Sequence, residues 1–559
     1  MATIQYRIQT TRTVSVRGGV GVNNPDEPWS PSEQQSAQEA RWELIDDLMG
    51  GTDTMRLRGE RWLPREPGET PNAYRSRLAR SFLSNGFRDT IEKLVAKPFS
   101  RSVNVAPDSL GDERLDEIID DADRGGNDVT TIARRLFTDM VQYGKCHLLV
   151  DYPTTDQSLS LAQERSEKVR PVFLRVSPRD IVGWRYERRG DGGAEVLTQV
   201  RIRECRLEDV GKYGSRVVHY VRVINAPPLG GATPQEAIVA AAGAAATSQA
   251  TWELFKRGDG EQWTKDSNGT HTFPGIPLAT AYAERDEFMT ATPPMQDLAE
   301  LQLCHWQSYS DQRNILKYVR MAMLAKTGIS QEEMEKPSTI APNEVLKSVN
   351  PDAKYYFVEH SGAGIQAGRD DLKDIEERME VLGMQPLAVR TADSTATGKA
   401  MDENKNETTI QAWIRSLENM LTEAFKMAAT WIGKELPADF SVDVFNDFGV
   451  GNDRAAEGDL LLRARAQGDI TRLTMLREMQ RRGIISASVD VEAEDDELGA
   501  EAPIIPGGPF GQDPNNPFAK KGEEDGDGGG DEPGGDGEQG DAGGGDGKPG
   551  GNPFGGKPG

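Results

Sequence analysis

The stretch PPMQDLAELQLCHWQSYSDQRNILKYVRMAMLAK, residues 293–326, sets the fold of this chain. Pro293 and Pro294 open it and Asp297 falls in its first turn, where proline fits and an acid suits the helix dipole. At ~1.5 Å per residue, an unbroken helix of this length reaches roughly 50 Å, longer than a single globular core requires. Leu298, Leu301, Ile315 and Val319 share a face, yet Gln302, His305, Gln312 and Arg313 interrupt any clean apolar stripe. The expectation is a helix over residues 293–327 that packs against copies of itself.

Outward from it, residues 328–364 form a β-rich insert whose one clear strand is KYYFVEH, bounded by Pro351, Gly362 and Gly364. A helix resumes over residues 365–384, with Leu372, Ile375, Met379 and Leu382 at three- and four-residue spacing until Gly383 and Pro386 end it. QPLAVRTADSTATGKA, residues 385–400, is small and polar, a composition that favours a loop. From Met401 a third helix carries Ile410, Trp413, Ile414, Leu417, Leu421, Phe425 and Ala428, close to an ideal buried face.

The N-terminal half reads as mixed. Helices are expected over residues 33–49, 70–97 and 130–144, and strands at CHLLVDY, RPVFLRV, EVLTQVRIRE, SRVVHYVRVI, TWELFKR and FSVDVFND. Intervening Gly, Pro and Asp favour small antiparallel or mixed sheets, which makes the fold class α+β. Trp184, Tyr186, Tyr220 and Trp252 are then core or cross-strand aromatics, not a platform for stacking bases.

Composition excludes several functions. The apolar run Ala237–Ala246 is about half the ~20 residues needed to cross a bilayer, and the polar N-terminus lacks a signal-peptide pattern, so no membrane association is expected. Cys146, Cys205 and Cys304 are distant in sequence and read as buried free thiols. From Asp490 onward eighteen Asp and Glu face four Lys, so -14 of the net charge of -25 sits in a Gly/Asp-rich tail expected to be disordered. An acidic chain does not grip DNA by counterion release, whereas phosphates slide past weak or repulsive walls.

The search for chemistry finds no metal-ligand spacing among the five His and no HExxH or GxSxG. Gly398-Lys399 is followed by Ala400 and lacks the earlier glycine of a phosphate-binding loop, so the chain is not expected to be a motor. The acid pairs Asp46-Asp47, Asp120-Asp121 and Asp370-Asp371 are the candidates for a Mg²⁺-dependent nuclease; each sits where solvated charge is ordinary. Neither catalysis nor a cofactor or metal is expected.

Spread along the chain are blocks that together resemble the portal, or head-to-tail connector, proteins of tailed bacteriophages, in a subgroup often catalogued only as a domain of unknown function. They are RWELIDDLMGGTDTMRLRGERWLP, AYRSRLARSFLSNGFRDTIEKLVAKPFS, HLLVDYP, RPVFLRVSPRDIVGWR, PPMQDLAELQLCHWQSYSDQRNIL and GDITRLTMLREMQRRGII, covering roughly residues 35–490. The likeness rests on their order, since none is a catalytic signature.

The resemblance implies a portal-type fold: an N-terminal arm (1–32), a wing (33–292), a first stem helix (293–327), a clip (328–364) and a second stem helix (365–384). A channel loop (385–400), a backbone helix (401–434), a strand returning to the wing (435–450), a helical crown (451–490) and the disordered tail (491–559) would follow. It implies a homo-oligomeric ring, usually a dodecamer, at one capsid vertex. Such a ring passes double-stranded DNA without sequence preference and meets a terminase motor, major capsid and scaffold proteins and a tail adaptor. Arg390, Thr391, Ser394, Thr395, Thr397 and Lys399 would face the DNA, and Leu301, Ile315, Val319, Leu372, Ile375 and Met379 would pack between subunits. The protein would be assembled in the host cytoplasm and reside in the virion. Two readings stay open beside it: a head-completion or tail-adaptor protein, and a metal-dependent nucleic-acid enzyme.

Overall fold

The computed structural model describes residues 24, 26–107, 109–153, 169–188, 194–227, 250–258, 262–320, 323–329, 331–332, 348, 350–358, 363–383, 396–446, 454–481, 484–485, 489 and 491. The alanine-rich run at 237–246, most of the expected clip and the acidic tail lie outside them. The described residues fall into two compact units, divided after Arg454.

Helix α1 (Glu33–Gly50) starts where the Ser32 side chain accepts the Gln35 N–H, and α2 (Thr52–Arg58) follows directly. The single helix expected over residues 70–97 is two, α3 (Pro71–Arg80) and α4 (Gly86–Ala96). Ser81 leaves α3 in extended conformation, and Asn85 restarts the helix by accepting the Arg88 N–H at 3.0 Å. The Asn85 side chain bonds locally and so competes with a continuous helix. Strand β1 (Asn104–Ala106), α5 (Glu113–Asp120) and α6 (Val129–Tyr143) come next. α6 ends at Gly144, with φ 83°, where an added Cβ would lie 2.4 Å from the Thr292 carbonyl oxygen.

Two sheets lie beyond. β2 (Lys145–Asp151) is the centre of an antiparallel trio with β3 (Val172–Val176) and, on its other edge, β9 (Leu278–Tyr282). Between them in sequence runs an antiparallel meander of β4 (Ile181–Arg188), β5 (Glu195–Val210), β6 (Gly214–Asn225), β7 (Ala250–Arg257) and β8 (Trp263–His271). β8, written WTKDSNGTH, is almost wholly polar, so its sequence carries no strand signal; pairing with β7 makes it one.

The trio separates two cores with the period of two that a strand imposes. Cys146, Leu148, Val150, Phe173, Ala279 and Ala281 face the helices, while Leu149, Val172, Leu174, Val176 and Leu278 face the meander, where Ile181, Val200, Ile202 and Ile224 meet them. Tyr220 is buried and Trp184 and Trp252 pack beside the cores, while Tyr186 is a cross-strand aromatic, opposite Leu197 and against Phe288, and 41% exposed.

α7 (Gln296–Val319) is the first long helix. It stops well short of residue 327, because residues expected in its last turns form β10 (Met323–Thr327), paired antiparallel with β11 (Lys354–Val358) from Met323↔Val358 to Thr327↔Lys354. Helix-forming Met, Leu, Ala and Lys are overridden by pairing with the β-prone YYFV. α8 (Ala363–Leu382) returns along α7. α9 (Ala396–Trp431) then runs through the first core: Ile410, Trp413, Ile414, Leu417, Met420, Leu421, Ala424, Phe425 and Ala428 are all buried. Phe425 meets Phe173 edge to face at 5.1 Å, and Trp431 donates to the Val150 carbonyl at 3.2 Å. β12 (Ser441–Asp443) pairs with β1. In the second unit, α10 (Arg454–Gln467) and α11 (Arg472–Arg481) share a small core of Leu461, Met475 and Met479.

Candidate functional site

The two long helices α7 and α8 leave much of their surface exposed, with Val381 at 61% and Ile315 at 44%. They run antiparallel, as their cross-bonds require: Gln312 Nε2 donates to the Ile365 carbonyl at 3.0 Å and His305 Nε2 lies 3.2 Å from Glu376 Oε1. At Gly368 a Cβ would stand 2.2 Å from Gln312 Oε1, so glycine lets the helices close. At ~1.5 Å rise, the 24 residues of α7 span roughly 36 Å.

α7 is anchored along its first two thirds. Leu298, Ala299, Gln302 and Trp306 are buried in the body, and Ser310 Oγ meets Ser81 Oγ at 2.9 Å. Buried Arg77 of α3 holds Glu69 at 2.8 Å, the Pro64 carbonyl at 2.8 Å and, at 3.5 Å, Asp311. The bond to Arg77 holds the Glu69 carboxyl below its ordinary range, whereas burial raises that of Asp311. α8 has no such anchor: among its described side chains Leu372 alone is buried.

The residues expected to pack between subunits divide accordingly. Leu372 is buried and Met379 packs against the first core, with its Cε 3.0 Å from where a Cβ on Gly86 would stand; both are engaged within the chain, because α8 must use this face to hold α7 and α4. Leu301, Val319 and Ile375 are half-buried, and Ile315 is 44% exposed. Of the residues expected to face DNA, Arg390, Thr391, Ser394 and Thr395 lie outside the described residues. Thr397 and Lys399, expected in a loop, belong to the first turn of α9.

Between them α7 and α8 form an open groove of about 850 Å³ lined by Leu301, Cys304, Val381 and Leu382 together with the charged Asp297, Glu300, Asp374, Glu377 and Arg378. Val381 is 61% and Leu382 41% exposed. Cys304, expected to be a buried thiol, is exposed here, because the helix turns it to the groove while its neighbour His305 turns to Glu376. The sequence signal for this groove was Val381, an apolar residue outside the stripe of Leu372, Ile375 and Met379.

Elsewhere several of the candidate ionisable groups are engaged. Asp46 accepts from Tyr143 Oη at 2.7 Å and pairs with Arg179; Asp47 accepts from Trp62 Nε1 at 2.7 Å and pairs with Arg58 at 2.8 Å. Asp121 pairs with Arg170, and Asp370 with Gln366. Cys205 and His219, cross-strand neighbours in the meander, meet at 3.3 Å, and burial raises the Cys205 thiol pKa, which leaves a weak nucleophile. Among the described residues no three His, Cys, Asp or Glu gather as a metal site, and no helix is long and apolar enough to cross a membrane.

Residues 294–432 match the family described as a domain of unknown function (DUF4055). That stretch is the set formed by α7, the β10–β11 ribbon, α8 and α9. No curated protein matches the chain. Among solved structures, it is similar to a chain of the neck of an empty GTA particle computed with C6 symmetry, at 10% identity and a TM-score of 0.38, over 77% of this chain and 93% of that one. It is similar to a chain in the virion of a native gene transfer agent (GTA) particle at the same identity and TM-score, over 77% and 98%. A third similarity, to the neck of a native GTA particle computed with C12 symmetry, has 10% identity and a TM-score of 0.36, over 76% and 97%.

Proposed function

We propose that this chain is a structural subunit of a tailed-phage-like virion, and within it the portal subunit, repeated around a ring through which double-stranded DNA is packaged and ejected. The observation that carries the reading is the pair α7 and α8. Two helices, joined through a two-stranded ribbon and inserted between a mixed body and a core helix, leave an entire helix covered on one face only. A 20-residue helix with so little burial is stabilised by packing that one chain does not supply, and Val381 and Leu382, still 61% and 41% exposed, would each gain about 1 kcal/mol on full burial. Ring symmetry supplies that packing once per subunit.

The order of weak sequence blocks agrees with this reading, as does the engagement of Asp46, Asp47 and Asp121 with arginines, which favours a structural role over a catalytic one. In this reading the ribbon end docks the terminase motor and later the tail adaptor, the wing meets capsid and scaffold proteins, and residues 385–395 line the channel.

Negative-stain imaging with native mass determination tests it. Hollow rings of about a dozen subunits are expected; a monomer or dimer stable across concentration and salt removes the conduit.

A further inference from the structure

The groove between α7 and α8 carries four carboxylates and one guanidinium among its apolar side chains. Glu377 is tied locally to Lys373 at 3.4 Å, and Glu300 accepts from Gln296 at 3.3 Å, both at exposed positions that leave the acidic edge in place. A surface of this charge repels its own copy, so it cannot be the self-complementary face of a two-fold dimer. Its occupant must be basic as well as apolar.

The chain presents such a surface elsewhere on the same unit. Leu57 is 74% and Phe82 54% exposed. They follow directly on Arg56 and Ser81, which are bonded to each other: Arg56 Nε and Nη2 donate to the Ser81 carbonyl at 3.0 and 2.7 Å, so the two apolar side chains belong to one junction of α2 with the end of α3. α3 carries Arg75 and Arg80 at exposed positions. They bond to uncharged acceptors, Arg75 to Asn72 at 2.7 Å and the Pro71 carbonyl at 3.4 Å, Arg80 to the Ser76 carbonyl at 2.8 Å, and among the described residues neither meets a carboxylate.

We propose that the acid-edged groove of one copy receives the Phe82 end of α3 from the next copy, with Arg75 and Arg80 set against Asp374 and Glu377. The contact is heterologous: groove and ridge lie on different elements, so each copy offers both halves, and repetition closes a ring if the rotation allows. Electrostatic complementarity fixes the register and direction of assembly. This inference rests on the ring reading and names the partner surface of the same site.

The test uses the full chain and its own Cys304, which lies in the groove. Phe82→Cys, treated with a short bis-maleimide, is expected to give a ladder of covalent oligomers on a denaturing gel, lost when Cys304→Ser is added. The double change Asp374→Lys with Glu377→Lys is expected to disperse rings, as is Arg75→Glu with Arg80→Glu, and the four together to restore them. Rings that withstand both double changes and give no cross-link overturn the groove contact while leaving the ring. Dispersal by the groove change without cross-link or rescue overturns Phe82 as the occupant. A wild-type chain that forms no ring at any concentration overturns the ring reading itself.

Discussion

Gln302, wholly buried on α7, accepts the backbone N–H of Phe87 through its Oε1 at 3.1 Å, and its Nε2 donates to the Ser84 carbonyl at 2.9 Å. One amide thus satisfies both signs of orphaned backbone polarity at the start of α4, and Gly86 between them leaves room for the approach. The long helix is riveted to the body by hydrogen bonds where a purely apolar contact would leave a helix end unpaired. Gln302→Leu removes both partners from buried groups, and a loss of roughly 2–4 kcal/mol in urea unfolding is expected. An unchanged midpoint would mean that water replaces the amide.

This bond explains how the sequence could be read and where it could not. The buried face of α9 was legible because its apolar residues recur at helical spacing and meet nothing but core: Ile410, Trp413, Ile414, Leu417, Leu421, Phe425 and Ala428 are all buried. On α7 the same reasoning took Gln302, His305 and Gln312 as interruptions. They are the cross-bonds, to α4 and α8, and periodicity scores a polar residue the same whether it meets water or a buried partner. β8 and β10 were hidden for another reason. Their residues acquire strand conformation from a neighbour distant in sequence, and Met323–Thr327 alone looks helical.

The buried pair Asp139 and Arg175 supplies a second test. Arg175 Nε donates to Asp139 Oδ2 at 2.6 Å, joining α6 to β3; burial raises the Asp139 carboxyl and the guanidinium pulls it back. Asp139→Ala strands a largely buried guanidinium and is expected to cost roughly 3–5 kcal/mol in chemical unfolding. Asp139→Leu combined with Arg175→Met is expected to recover most of that loss, because two desolvated charges disappear together. A double variant as weak as the single one would mean that the pair, and not its isolation, holds α6 on the sheet.

In the channel reading, residues 391–395 can be removed without touching the helical turns of α9, which begin at Ala396. Deleting Thr391–Thr395 is expected to spare ring formation in negative stain and to reduce retained full-length DNA in particles, measured by nuclease-resistant genome content. Normal retention would take this segment away from the DNA path.

Lys145 sets the pH dependence of the body. It is buried at the start of β2, with Nζ 5.4 Å from the Trp42 ring centroid and 5.1 Å from that of Trp184, and it donates to the Met289 carbonyl. Burial pulls its pKa from 10.5 to about 7. Between those values the unfolded chain binds a proton that the folded one does not, so stability rises with pH through this window, and below pH 7 the full cost of an ammonium in the core is present. Asp180 acts in the opposite sense lower down: burial lifts it from 3.8 to about 6, so its contribution is fullest at acid pH and falls as pH rises toward 6. Lys145→Met keeps the volume, loses one donor to Met289 and removes the charge. It is expected to stabilise the chain at pH 6 by a few kcal/mol on the order of the shift, and to flatten the rise between pH 7 and 10 in unfolding midpoints. A variant less stable at pH 6, with the rise intact, would mean that the two tryptophans and the carbonyl hold the ammonium at no net cost.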